Sequence, residues 1–168
     1  MKTAAQFARE LLKILVLNEE NDAPSLIVHV RNSCNRELVS FPPALVEKHV
    51  SEGKSILQSL GQPVSRLGAL TLLALVQVGP AQAWSEAQRK SLRLHDILVW
   101  INAQYGVQYA ENIRESLRRD VIAPLVQAGI LEHNPEEPNL PPNHPRNHYA
   151  IHASVLEKIK LLGENLKM

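Results

Sequence analysis

The chain has 168 residues, 45% of them hydrophobic and 21% charged, which gives a globular balance and enough apolar surface for a core. A formal net charge of +1 neither implies nor excludes a nucleic-acid partner, so a case for one must come from how the charges are arranged. The single cysteine, Cys34, excludes an intramolecular disulfide and a thiolate metal cage and fits a reducing, cytoplasmic setting.

In chain order, residues 3–17 repeat Phe7, Leu11, Ile14 and Leu15 at helical spacing. This start has no basic and apolar regions of a secretory signal. After a polar break, Leu26, Val28 and Val30 alternate as in a strand over 25–30, and residues 37–41 read as its return. Pro42 and Pro43 then open a helix that runs to about Leu60 through Val46, Val50 and Leu57. Two helix breakers meet in Gly61-Gln62-Pro63, where a boundary is expected between an N-terminal appendage, residues 1–64, and a main domain, residues 65–168.

Residues 65–78 are apolar on nearly every side, as in a helix buried within a small domain. That stretch is well short of the ~20 residues needed to cross a bilayer, so no membrane partner is expected. Leu94, Ile97, Leu98 and Ile101 mark a second helix closed by Tyr105 and Gly106. A third runs from about Ala110 towards Ala128, with Gly129 as its left-handed cap and Pro124 expected to kink its last turns. Residues 130–133 and 148–153 read as two strands joined by a loop holding five prolines, a hairpin with a stiff, extended tip. A last helix over 155–166 turns Leu156, Ile159 and Leu162 inward. The expected fold is mainly α with a small β-wing: a winged helix-turn-helix preceded by a small α/β appendage.

That layout places the third helix in the major groove of DNA and the wing on backbone or minor groove. Ile113, Leu117 and Val121 form the inward stripe of the third helix, so Asn112, Arg114, Glu115, Arg118 and Arg119 are directed outward. Arginine offers paired donors to guanine and asparagine pairs reciprocally with adenine, which gives Asn112, Arg114 and Arg118 base-reading chemistry. Arg119 suits a phosphate. In the wing, Asn143, His144, Arg146, Asn147 and His148 gather side-chain donors beside prolines that lower the cost of ordering. An alternative stays open for the helix, in which Glu111, Arg114, Glu115 and Arg118 only pair with one another in solvent.

Catalytic and metal chemistry find little support. His144, His148 and His152 are four apart, but a strand puts only the last two on one face, and no cysteine or acidic third ligand is near. Asp22 with Glu52 and Lys54 is the one candidate for a magnesium nuclease set, yet the latter two fall in a helical pattern. The expectation is a chain without catalytic residues, metal site or cofactor of its own.

Several separated strings carry a family resemblance: LTLLALV at 70–76, Trp84-Ser85-Glu86-Ala87, Tyr105-Gly106, and YAENIRESLRR at 109–119. Further matches are Leu125, Ala128-Gly129, Asn134-Pro135, and Asn143-His144-Pro145 up to Tyr149. Over residues 65–153 the chain resembles the N-terminal helix-turn-helix region of BsuBI/PstI-like type II restriction endonucleases. The resemblance implies a winged-helix module preceding a magnesium-dependent nuclease domain of the PD-(D/E)xK type, with an adenine-methylating enzyme protecting host sites. Glu111 stands where the family tends to have proline and His144 where it tends to have serine, and residues 1–64 match nothing recognised. Reading of methylated adenine is also open, with Trp84 and Tyr149 as candidate pocket walls, although core packing is the more usual role of such residues.

The expected function is therefore sequence-dependent recognition of double-stranded DNA in a restriction-modification or related defence system, with sensitivity to adenine methylation left open. A nuclease domain or subunit and a second copy of the chain are the further partners left open. Two alternatives stand beside it: a dimeric transcriptional control protein of the same fold, and a winged helix that binds protein.

Overall fold

The computed structural model describes residues 41–166. The helix expected at 3–17 and the strands at 25–30 and 37–41 lie outside the described residues, apart from Phe41, as does Asp22. The described elements are mainly helical with a small antiparallel sheet of three strands.

Helix α1 spans Pro43–Ser59 and buries Val46, Val50, Ile56 and Leu57. Helix α2 spans Arg66–Leu75 and is capped by Ser65, whose hydroxyl accepts the Gly68 N–H at 2.9 Å and satisfies one of the free donors of the first turn. Residues 68–75 are buried without exception, as the apolar pattern requires. The helix stops short of the expected Val78 because Gln77 turns left-handed at φ +57° and the Val78 N–H closes back onto the Leu73 carbonyl.

Gly61-Gln62-Pro63, expected to divide two domains, instead forms the turn between α1 and α2. The two helices approach so closely that a side chain at Gly53 would come within 3.1 Å of the Ala69 methyl. The compact unit begins at Pro43, so the division expected at 64/65 falls inside it.

A single turn at Trp84–Glu86 leads to strand β1, Leu92–Arg93, and directly into helix α3, Leu94–Tyr105. Ile97, Leu98 and Ile101 are buried, and Gly106 caps the helix at φ +65°, a conformation that costs glycine nothing. Tyr105 is also buried and its hydroxyl donates to the Val78 carbonyl at 2.8 Å; burial first, and the Glu52 charge second, push that hydroxyl's pKa up.

Helix α4 follows over residues 111–127. It opens with a 3-10 turn, Glu111–Ile113, passes through Arg114–Ser116, widens to a π turn at Leu117–Ile122 and ends with Ala123–Gln127. The irregularity expected from Pro124 takes this form: the ladder stays helical, but the Ala123 N–H reaches the Arg118 carbonyl five residues back.

Strand β2, Leu131–His133, and strand β3, His148–Ile151, pair antiparallel with Leu131 opposite Ile151 and His133 opposite Tyr149. The other edge of β3 pairs with β1, which the sequence reading lacked, setting Leu92 opposite Tyr149 and Arg93 opposite His148. Arg89 continues the tie beyond β1 by donating to the Ile151 carbonyl at 2.9 Å.

Helix α5, Ala153–Asn165, ends the described chain. Its inward face is narrower than expected: Ile159 and Gly163 are buried, while Leu156 and Leu162 are half-buried. Gly163 lies against Trp84, where an added Cβ would fall 2.2 Å from the indole Cγ. The same indole, fully buried, donates from Nε1 to Glu52 Oε2 at 2.6 Å and stacks on His49. One aromatic ring thus joins α1 and α5, and its polar edge is satisfied by a buried carboxylate.

Because no void exists above Gly163, Gly163→Ala is expected to destabilise the fold by about 1–3 kcal/mol through overpacking. A urea titration reads this directly, and an unchanged midpoint would mean that the Trp84 contact is slack.

Candidate nucleic-acid interface

Helix α4 presents its polar face as its sequence dictates. Leu117, Val121 and Ile122 are buried, and Asn112, Arg114, Glu115, Arg118 and Arg119 are exposed. Each arginine is held by a nearby carboxylate: Arg114 by Glu111 at 2.7 Å, Arg118 by Glu115 at 2.6 Å and Arg119 by Asp120 at 2.7 Å. Such exposed pairs stabilise a fold little, because water competes for both partners. Their exchange for another partner is correspondingly inexpensive.

The pairing still fixes protonation. Hydrogen bonding to Arg118, with its charge adding, holds the Glu115 carboxyl below the usual carboxylate range, and Glu115 in turn raises Arg118. Asp120 is lowered in the same way by Arg119. These groups keep opposite charges through the neutral range.

The β2–β3 loop is a chain of turns, not the extended tip expected from its prolines. Successive N–H groups of Glu137, Leu140, His144 and Asn147 each bond to the carbonyl three residues before. Asn134 anchors the loop from below in a left-handed conformation, φ +52°, that asparagine tolerates better than most residues. Its Oδ1 accepts the His148 N–H at 2.8 Å and its Nδ2 donates to Asn147 Oδ1 at 2.7 Å. Asn147 then donates to the Pro141 and Pro142 carbonyls. The side chain of Asn147 is thereby committed to bracing the loop.

Between this loop, the first half of α4 and the start of α3 lies a cleft of about 660 Å³. Of the residues singled out from sequence, Asn112, Arg114, Glu115, Arg118, Asn143, His144 and Asn147 line it. Three do not. Arg119 projects beside Asp120, and Arg146 pairs with Glu137 at 2.8 Å, both outside the cleft.

His148 is the third, and it corrects the sequence reading: it is buried at the base of the hairpin. Its Nδ1 lies 2.9 Å from the Arg146 carbonyl, and its Nε2 lies 2.7 Å from a Glu136 oxygen without hydrogen-bond geometry. Its place in the loop string groups it with the wing donors, whereas it opens β3, every residue of which is buried.

The cleft also holds residues that sequence reasoning missed. Arg93 and His95 enter it because β1 pairs with β3, a tertiary event that two residues cannot announce. Arg93 is tied to Asp96, whose carboxyl it lowers by hydrogen bonding, and His95 meets Glu111 at 3.1 Å. Tyr149 lines the cleft while stacking on His133 at 5.0 Å; burial raises its pKa, and Arg118 opposes that shift. Trp84, its candidate partner in a pocket, is in the core instead.

The remaining candidates are also located. Glu52 is buried beneath Trp84, so it holds an indole and offers no open carboxylate. His152 caps α5 by accepting the Ser154 N–H. Among the described residues, no helix is long and apolar enough to cross a membrane.

A compact helical unit in which the polar face of α4 meets a braced hairpin loop across an arginine-lined cleft fits the helix-turn-helix class. The chain is a member of the family described as BsuBI/PstI restriction endonuclease HTH domain, which it matches over residues 47–165. It is 36% identical over 118 residues to the type II restriction enzyme BsuBI of Bacillus subtilis, covering 68% of this chain and 37% of that one. It is 29% identical over 125 residues to the type II restriction enzyme AplI of Arthrospira platensis, covering 73% and 38% respectively. The structure of the SdaI restriction endonuclease superposes with a TM-score of 0.64 at 25% identity, over 66% of this chain and 36% of the other. The chain thus spans little more than a third of the length of these relatives.

The Asn134 anchor has a measurable role. Asn134→Ala is expected to leave the His148 N–H and the Asn147 amide without their partner, at a cost of about 1–3 kcal/mol. Amide hydrogen exchange at His148 checks it: exchange as slow as in the parent would show that the loop does not depend on this side chain.

Proposed function

We propose that this chain is a winged helix-turn-helix that reads double-stranded DNA for a restriction system, with α4 in the major groove and the β2–β3 loop as the wing on the backbone. The observation that carries the reading is the convergence of Asn112, Arg114 and Arg118 with the braced hairpin loop on one cleft. In this reading Arg114 and Arg118 offer guanine its paired donors and Asn112 suits adenine. Asn143 and His144 on the cleft lining, and Arg119 and Arg146 outside it, meet phosphates. Binding needs no cofactor.

Membership of a family of restriction endonuclease domains supports the setting, and the relatives' greater length supports a nuclease part working beside this module. Sensitivity to methylated adenine belongs to the same proposal. Tyr149 is the wall of the cleft against which an added methyl group would pack, whereas the buried Trp84 has no share in it.

Two measurements test this. Affinity for a mixed-sequence duplex should fall steeply with salt as counterions return to the backbone, and absence of binding even at low salt would favour a protein partner instead. Arg118→Ala should weaken binding to a selected site by roughly 5- to 150-fold and relax one base position, while Arg119→Ala should weaken all duplexes alike. Equal losses for Arg118→Ala on selected and random duplexes would contradict base reading.

A further inference from the structure

The acidic residues of α4 are out of place on a surface that only binds phosphates. Glu111 is occupied twice, by Arg114 on one oxygen and by His95 on the other, and Asp120 lies outside the cleft. Glu115 differs. It lines the cleft, its side chain is 64% exposed, and among the described residues its only hydrogen bonds come from one guanidinium, that of Arg118. A carboxylate has about four acceptor positions, and Arg118 uses two of them.

An ionised carboxylate can only accept, which narrows what it tolerates in a major groove. Phosphates, the O6 and N7 of guanine and the O4 of thymine repel it, and the exocyclic amino groups of cytosine and adenine alone satisfy it. Adenine sets an N7 acceptor beside its amino group, whereas cytosine offers the amino group by itself. Arg118, three residues on along the same face, has the complementary demand for the guanine edge.

Resting on the DNA-reading role proposed above, we infer that Glu115 is a specificity-determining residue that accepts the N4 amino group of a cytosine beside the guanine taken by Arg118. The ion pair seen in the free protein then opens into two base contacts. Neither charge is left unpaired, and a sequence lacking that cytosine is rejected by repulsion as well as by a missing bond.

Selection of the full chain against randomised duplexes, followed by titration of the winning duplex, tests this. The wild type should select a cytosine at one position, and N4-methylcytosine there, which keeps its pairing but loses the N–H facing the groove, should weaken binding on the order of tenfold. Glu115→Ala, checked for folding by circular dichroism, should lose that preference, bind the two cytosines equally and keep the selected guanine. Glu115→Ala that retains the cytosine, or that tightens all duplexes with an unchanged preference, overturns the inference and leaves DNA reading intact. A wild type that selects no sequence at all removes both.

Discussion

Strand β3 is paired along both edges, and the cleft exists because of it. On one side it carries the hairpin loop through β2; on the other it holds β1, whose last residue is followed at once by α3. Without the β1 pairing, Arg93 and His95 would have no reason to face the loop. With it, three separated segments meet around Tyr149, whose backbone lies between Leu92 and His133 and whose side chain lines the cleft. A four-residue strand, buried throughout, therefore fixes the geometry of a surface made almost wholly of loop and helix side chains.

Local chemistry was legible in the sequence, and tertiary choice was not. The start of α2 and the close of α3 could be read because Ser65 and Gly106 act on their own backbone neighbourhood. The outward face of α4 followed from the 100° step, and it survives the wide turn because Leu117 and Val121 still anchor the inner side. Gly61-Gln62-Pro63 announced a turn correctly, but whether a turn separates domains or joins packed helices depends on complementary surfaces, here Gly53 against Ala69. His148 was misplaced for a related reason, since burial of both faces of β3 comes from what covers the sheet and leaves no period-two trace.

The loop shows how composition can mislead about form. Five prolines suggest extension, yet the segment folds into consecutive turns because four of them, Pro135, Pro138, Pro142 and Pro145, stand at the second turn position, whose φ proline matches. The extended shape was the wrong inference. Asn134 and Asn147 finish the work by tying the loop to itself with side-chain amides, and Asn143 and His144 line the cleft beside them.

The three arginine–carboxylate pairs on α4 bear also on kinetics. A polyanion approaching this helix meets fixed charges of both signs in alternation, so the long-range pull is weak and capture happens at touching distance. In the DNA-reading role proposed above, encounter then depends on close contact with the cleft, and the phosphate contacts made there carry the dependence on salt.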